Sequence, residues 1–176
     1  EHECDVKDYA KAVQLFDQAL ELDPNNEDVK AARDAAAVKD SVRALMKRGQ
    51  DEMSAGNVGR AVKTLMEALQ LDPDSADVQA AEAEAEKTLQ ALKLKRKGLA
   101  QMKKGDFGVA ASTFATAKGL SPCDDELSDL YDKATALAKA QQLKSQAEHE
   151  CDVKDYAKAV QLFDQALELD SNNEDV

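Results

Sequence analysis

The chain has 176 residues, of which 43% are hydrophobic and 33% are charged, with only three prolines and seven glycines. A formal charge of −12 argues against nucleic acid as a partner, because phosphate binding is driven by Lys and Arg. No apolar run approaches the roughly 18 residues that span a bilayer. We therefore expect a helix-rich, intracellular and cytoplasmic protein with no nucleic-acid or membrane partner.

The chain repeats itself at two periods. One segment recurs every 49 residues, at 8–24, 57–73, 106–122 and 155–171. Residues 1–29 recur at 148–176 with a single difference, Pro24 becoming Ser171, so that the longer shift is 147 residues, or three units. This pattern indicates early triplication and late copying of the whole block. We expect a fragment of a long tandem array; the alternative is a free-standing short protein.

Each recurring segment predicts a short amphipathic helix of about fifteen residues. In the first segment the apolar residues at helical spacing are Tyr9, Ala12, Val13, Phe16, Ala19 and Leu20. Residues 75–104 lack proline, contain glycine only at Gly98, and run from acidic to basic, which predicts one helix of roughly thirty residues. Short and long helices should alternate, joined by Asp/Asn/Ser turns or by turns such as Gly105-Asp106.

Small and large residues recur at fixed positions of these helices. The first small position holds Ala12, Ala61, Ala110 and Ala159, the large position Phe16, Leu65, Phe114 and Phe163, and the second small position Ala19, Ala68, Ala117 and Ala166. Pro24, Pro73 and Pro122 close the segments, and Gly49 and Gly98 lie in the long helices. This pattern resembles the tetratricopeptide repeat (TPR) family, and less closely the microtubule-interacting and transport domain.

The TPR resemblance implies an all-α solenoid of alternating short and long antiparallel helices. Residues 1–24 would be a partial unit, the second helix of a hairpin. Three units would follow at 25–73, 74–122 and 123–171, and residues 172–176 would start the next.

The unit departs from the family pattern in length and at several positions of the long helix. It has 49 residues where the family usually has 34. The large residue expected late in the long helix is replaced by Glu52, Gln101 and Glu150. The alanine-rich extensions at 31–40 and 80–88 favour a solvated helical strut, with close pairing to a neighbouring helix as the alternative.

Two sets of residues are candidates for protein binding. The groove that the resemblance implies would be formed by Met46, Gln50, Met53, Lys95, Leu99 and Met102. A basic cluster consists of Lys93, Lys95, Arg96, Lys97, Lys103 and Lys104. The cluster either complements the helix dipole or contacts an acidic partner. The family's carboxylate clamp for acidic C-termini is not reproduced.

The cysteines and histidines do not form a recognisable reactive site. Cys4 and Cys151 share the repeat position of Met53 and Met102, which indicates packing, whereas Cys123 lies in a turn and should be exposed and reduced. His149 and Cys151 are only two of the four ligands that structural zinc needs. With no nucleophile beside a base and no phosphate loop, we expect no catalytic, cofactor or metal site, and no enzyme.

These features predict a non-enzymatic structural scaffold. Its nearly identical blocks would form a rod or filament with multivalent contacts to protein partners or to further copies of itself. A cytoskeletal or ciliary role is predicted by analogy. The alternative is a soluble TPR adaptor that holds a peptide or helix in its groove.

Overall fold

The computed structural model describes residues 8–170, which form seven α-helices and no strand. Short helices of 14 residues alternate with long helices of 28. The helices are α1 (Tyr9–Leu22), α2 (Glu27–Ser54), α3 (Val58–Leu71), α4 (Ala76–Lys103), α5 (Phe107–Leu120), α6 (Asp125–Asp152) and α7 (Tyr156–Leu169). The predicted all-α class and the alternation of short and long helices are confirmed. Cys4, Ser171 and the predicted start of a further unit at 172–176 lie outside the described residues.

Acidic and amide side chains begin several of these helices. Oxygens of Asp8, Asn26, Asp124 and Asp155 each accept a hydrogen bond from the backbone N–H three residues later, at 3.0 to 3.2 Å. This arrangement satisfies N–H groups that the first turn of a helix leaves unpaired. The Asp/Asn turns that the sequence predicted therefore act as helix N-caps.

A second recurring turn joins each long helix to the next short helix. Gly56, Gly105 and Lys154 occupy one repeat position and have φ values of 74°, 81° and 64°, in the left-handed region. At each turn the following residue donates its N–H to a carbonyl five residues back, as Asn57 does to Glu52 at 2.8 Å. This hydrogen bond caps the C-terminal end of the long helix, where the chain reverses direction.

The first compact unit, Glu1–Glu86, places two short helices along one long helix. Arg33, in the N-terminal half of α2, donates to Asp17 of α1 at 3.0 Å. Lys39 lies 2.7 Å from Asp72 at the end of α3. The side chains of Val42, Ala68 and Val78 form the core where α2, α3 and the start of α4 meet. The N-terminal half of α2 therefore packs against α1, and its C-terminal half against α3.

The second compact unit, Lys87–Val176, repeats this plan. Its core consists of Ala110, Phe114, Ala117, Leu127 and Ala134, with Leu94 and Met102 of α4 packed against it. The short helix α5 therefore contacts the end of α4 and the beginning of α6. The helix α7 packs in the same way against the C-terminal half of α6, where Lys158 pairs with Glu150.

Small residues line the buried face of the long helices. The buried positions are Ala36, Val42 and Gly49 in α2, Val78, Ala85, Ala91 and Gly98 in α4, and Leu127, Ala134, Ala140 and Ala147 in α6. Ala36 and Ala85 belong to the alanine-rich extensions at 31–40 and 80–88, and Ala134 occupies the same repeat position. The prediction of a solvated strut is therefore wrong for this face, because these alanines are buried in the structure.

Candidate interaction surfaces

The glycines of the long helices lie directly against large residues of the short helices. A Cβ atom built on Gly49 would lie 2.8 Å from Leu65 Cδ2, and one on Gly98 would lie 2.5 Å from Phe114 Cε1. Both distances are too short for carbon atoms in contact. The predicted glycine and large positions are therefore one contact, which sets how closely the two helices of a hairpin approach.

A polar contact lies beside each of these glycines. Thr64 Oγ1 donates to Glu52 Oε2 at 2.7 Å, and Thr113 Oγ1 lies 2.8 Å from Gln101 Oε1. In the third hairpin, Leu162 replaces the threonine, and Glu150 accepts from Lys158 instead. Glu52, Gln101 and Glu150, which replace the large residue of the family pattern, thus form contacts between a long helix and the following short helix. The sequence carries a signal for this contact, since a threonine follows each polar residue by twelve positions in two units.

The residues predicted to form a groove have different environments. In the first unit, Gln50 and Met53 line an open cavity of about 280 Å³ that Leu65 also lines. Met46 packs against the core of that unit. In the second unit, Met102 packs against the core and Leu99 is exposed. Gln50 and Met53 are therefore the two predicted groove residues that the structure brings together around a cavity.

Lys95 was predicted for both the groove and the basic cluster, and it pairs within its own unit. Its Nζ lies 2.7 Å from Glu126 and 3.4 Å from Asp124, and its side chain is only 14% exposed. Burial lowers the pKa of Lys95, but the hydrogen bonds and charges of Glu126 and Asp124 together raise it above its ordinary value. Lys95 therefore ties α4 to the start of α6 and does not form part of an open basic surface. The exposed members of the cluster are Lys93, Arg96, Lys97, Lys103 and Lys104.

A polar cavity recurs at one repeat position in both units. In the first unit, a cavity of about 250 Å³ is lined by Arg48, Glu52, Arg60 and Thr64. The residues 98 positions later, Gln146, Glu150, Lys158 and Leu162, line about 550 Å³ in the second. Both cavities lie beside the polar contact between a long and a short helix. The sequence did not single out this surface, because its residues come from two helices.

Comparison with known families gives matches at two places. Residues 5–26 and 152–173 match the family model described as the tetratricopeptide repeat. The chain is a TPR-like repeat array. Both matches contain a short helix, α1 or α7, and the seven helices fit the same repeat. No curated protein matches the chain.

TPR domains mediate protein–protein interactions. The cysteines among the described residues of this TPR-like chain are free. Cys123 is an exposed free thiol, as predicted, and Cys151 is a partly buried free thiol. Within residues 8–170 no three His, Cys, Asp or Glu side chains are grouped as metal ligands would be. Among the same residues, no helix combines the length and apolarity required to cross a membrane.

Proposed function

We propose that the chain is part of a long tandem array that serves as a non-enzymatic structural scaffold, in the form of a rod or filament. The observation that carries this proposal is the near-identity of residues 1–29 and 148–176, which lie 147 residues apart. Blocks of equal length and sequence place equal surfaces at equal intervals. An array of such blocks can set a length or bind one partner many times, which raises avidity without new contacts.

The recurring cavity supports a multivalent role. It occurs at the same repeat position in both units. In each unit it is lined by a glutamate and by a cationic residue eight positions later. A partner that fits one such cavity would find the next one at a fixed position along the chain. The partners are accordingly proteins or further copies of the array, including an acidic protein at the exposed basic residues of α4.

The free thiols support an intracellular location. Cys123 is exposed and unpaired, and exposed thiols persist where the surroundings are reducing. A scaffold of repeating length is suited to cytoskeletal or ciliary structures, and we propose this location for the array.

The size of the native polypeptide tests the scaffold. An antibody raised against 148–176 would be used on a denaturing gel of source cells. We expect a band of several hundred kilodaltons, on the order of many tandem blocks. A band near 20 to 40 kDa, on the order of one small solenoid, would overturn the long array.

A second candidate function is supported by the cavity at Gln50 and Met53. The cavity is open and is lined in part by Met53, Leu65 and Ala81, so that an apolar side chain of a peptide could enter it. The chain would then act as an adaptor that holds a peptide or helix. Peptides selected for binding to the chain should lose affinity for Met53→Asp and keep it for Met66→Asp, an exposed methionine of α3 that does not line the cavity. Equal affinity for the two variants would rule out this groove.

A further inference from the structure

The exposed side of the C-terminal half of α4 carries a set of residues that we call the leucine–cation face. Its apolar members are Leu92 and Leu99, and its cations are Lys93, Arg96, Lys97, Lys103 and Lys104. The two leucines do not recur, since their positions hold Arg43 and Gln50 in α2 and Gln141 and Glu148 in the third unit. The cations are replaced 49 residues later by Gln142, Ser145, Gln146, Asp152 and Val153. The fold therefore does not require this face, because α6 forms an equally long helix without it.

The spacing of the face is that of a helix-binding surface. Leu92 and Leu99 lie seven residues apart and are 39% and 38% exposed. Each leucine is followed four residues later by a cation, Arg96 in one case and Lys103 in the other. Residues at spacings of four and seven share one side of a helix. Apolar residues that repeat every seven positions beside charged residues are the pattern by which one helix recognises another.

The leucine–cation face is open although its neighbouring helices are present. On the opposite side of the same half of α4, Leu94 and Met102 pack against the core that α5 and α6 form. Lys95, close to both leucines in sequence, pairs with Glu126 of α6. Leu92 and Leu99 remain exposed with these contacts in place. Their exposure therefore does not arise from a missing repeat.

The charges of the face are not balanced by the chain itself. Among residues 8–170, none of its five cations forms an ion pair, whereas Lys95 pairs with two carboxylates. The helix dipole favours a cation only in the last turn, and α4 ends at Lys103. Arg96 and Lys97 precede that turn, and like charges three or four residues apart, as Lys93 and Lys97 are, destabilise a helix. An external negative charge would remove this repulsion.

We propose that the leucine–cation face binds an acidic amphipathic helix of a partner protein. Apolar residues of the partner, seven positions apart, pack against Leu92 and Leu99, and its carboxylates pair with Arg96 and Lys103. This proposal rests on the scaffold function proposed above and names the class of partner and the surface that binds it. From Leu92 to Lys104 the face is about 18 Å long at the helical rise, which matches a partner helix of about two heptads.

The rest of the chain favours a short acidic helix over an extended polyanion. The net charge of the chain is −12, so nucleic acid or an anionic membrane would be repelled beyond the edges of the face. Phosphate groups would also leave the two exposed leucines without an apolar partner. In an array of 147-residue blocks the face occurs once per block, which would place copies of the bound helix at equal intervals.

Fluorescence anisotropy of a labelled synthetic helix mixed with the full chain tests this proposal. The probe is an alanine-based peptide of about three heptads, with leucines at the first and fourth positions of each heptad and glutamates beside them. We expect saturable binding that weakens at least about tenfold between about 0.1 M and about 1 M salt, as the screening length falls from about 10 Å to about 3 Å. A peptide of the same composition whose leucines do not share one side should bind at least about tenfold more weakly.

The contribution of the leucines is measured with Leu92→Gln/Leu99→Gln. Glutamine is compatible with this helix, since the chain has Gln141 at the repeat position of Leu92. We expect the probe to bind at least about tenfold more weakly, because two apolar contacts are lost. The matched control is Val109→Gln/Met66→Gln, which changes two other apolar residues that are 56% and 48% exposed. The control should bind the probe like the wild type.

The contribution of the charges is measured with Arg96→Gln/Lys103→Gln. We expect binding about three- to tenfold weaker, together with a smaller dependence on salt, because two ion pairs at an exposed surface are lost. Lys133→Gln/Lys139→Gln removes the same charge from exposed lysines of α6 and should change neither property. Circular dichroism of each variant would establish that its helices are intact.

Several results would overturn the proposal. They are the absence of saturable binding, equal binding of the rearranged peptide, equal weakening by either control variant, and tighter binding of RNA or of phosphatidylserine vesicles than of the probe. Self-association of the chain that Leu92→Gln/Leu99→Gln abolishes would assign the face to a second copy instead. None of these results changes the size of the native polypeptide. A short native polypeptide would overturn the long array and leave binding of the probe unaffected, so the two proposals fail independently.

Discussion

Individual positions that recur every 49 residues show how one backbone geometry is maintained by different side chains. The turn after each long helix requires a left-handed residue, which is Gly56, Gly105 or Lys154. Glycine adopts this conformation without steric cost, whereas a residue with a Cβ atom does not. The third turn therefore keeps the shape of the other two at a cost in stability.

Lys154→Gly should relieve this cost. We expect the variant to be more stable by about 1 kcal/mol, as measured by urea denaturation followed by circular dichroism. Gly105→Lys is the reverse change at the equivalent turn and should lose a similar amount. Equal stability of Lys154→Gly and the wild type would show that the left-handed turn carries no strain.

Gly98→Ala should destabilise the chain although alanine is the better helix former. Its Cβ atom would lie 2.5 Å from Phe114 Cε1, and Phe114 is fully buried. Overpacking of this kind costs about 1–3 kcal/mol. Gly119→Ala in α5 is the control, because no atom lies within 4 Å of its added Cβ. The control should gain about 0.5–1 kcal/mol, and a gain in both variants would contradict the close helix contact.

Equivalent positions of the long helices α2 and α4 differ in charge. Arg33 of α2 pairs with Asp17 of α1, but the same position of α4 is Glu82, and the position of Asp17 in α3 is Met66. Burial, together with the charge and hydrogen bond of Glu86, raises the pKa of Glu82 above its ordinary value. Two carboxylates one helical turn apart on α4 thus replace an ion pair between helices.

The raised pKa gives Glu82→Gln a pH-dependent effect. A carboxyl group with a higher pKa in the folded state favours folding below its ordinary pKa, and this contribution is lost as the pH rises through the folded pKa. At pH 7 the variant should therefore be more stable than the wild type, by about 0.2–0.5 kcal/mol for a like-charge pair at this spacing. The difference should shrink as the pH falls toward 4.5, the ordinary value.

Thermal denaturation of both proteins between pH 4 and pH 7, on the order of the titration range of a carboxyl group, would measure this effect. Glu21→Gln, at an exposed position of α1, controls for the loss of one negative charge from an acidic chain. A gain that is independent of pH, or that is equal in the control, would exclude Glu86 as its cause.

The molecule as a whole is stabilised by contacts between neighbouring helices. Among the described residues, α3 and α5 each pack against two long helices, whereas α1 and α7 each pack against one. Repeat proteins of this kind gain stability with each added unit, because every new unit contributes one more interface.

A chain in which residues 27–73 are repeated after residue 173 should confirm this dependence. The added helices continue the 147-residue pattern and would cover the exposed Tyr156 and Val160 of α7. We expect a higher denaturation midpoint in urea than that of the original chain, because the added unit contributes further helix interfaces. An unchanged midpoint would mean that the added helices do not pack on α7.

Local patterns accounted for the helices and for the residues at their contacts. The bounds of α4 were close to the predicted 75–104 because apolar spacing, terminal charge and turn residues act within a few neighbouring positions. The TPR resemblance gave the positions of Gly98 and Phe114 separately, and the structure shows that the two residues are in contact. The surroundings of the predicted groove and basic-cluster residues did not follow from local patterns, since Met46, Met102 and Lys95 contact residues of other helices.

The repeated sequence alone was enough to predict alternating short and long helices, their order and the turns that join them. Packing between helices decided which of the predicted surfaces are open. Lys95 is paired because residues 29 and 31 positions later lie beside it. The clearest case is α1 and α7, whose sequences are identical and whose exposed faces are opposite. Burial is a property of a helix and its neighbours together, so it cannot be read from the helix's own residues.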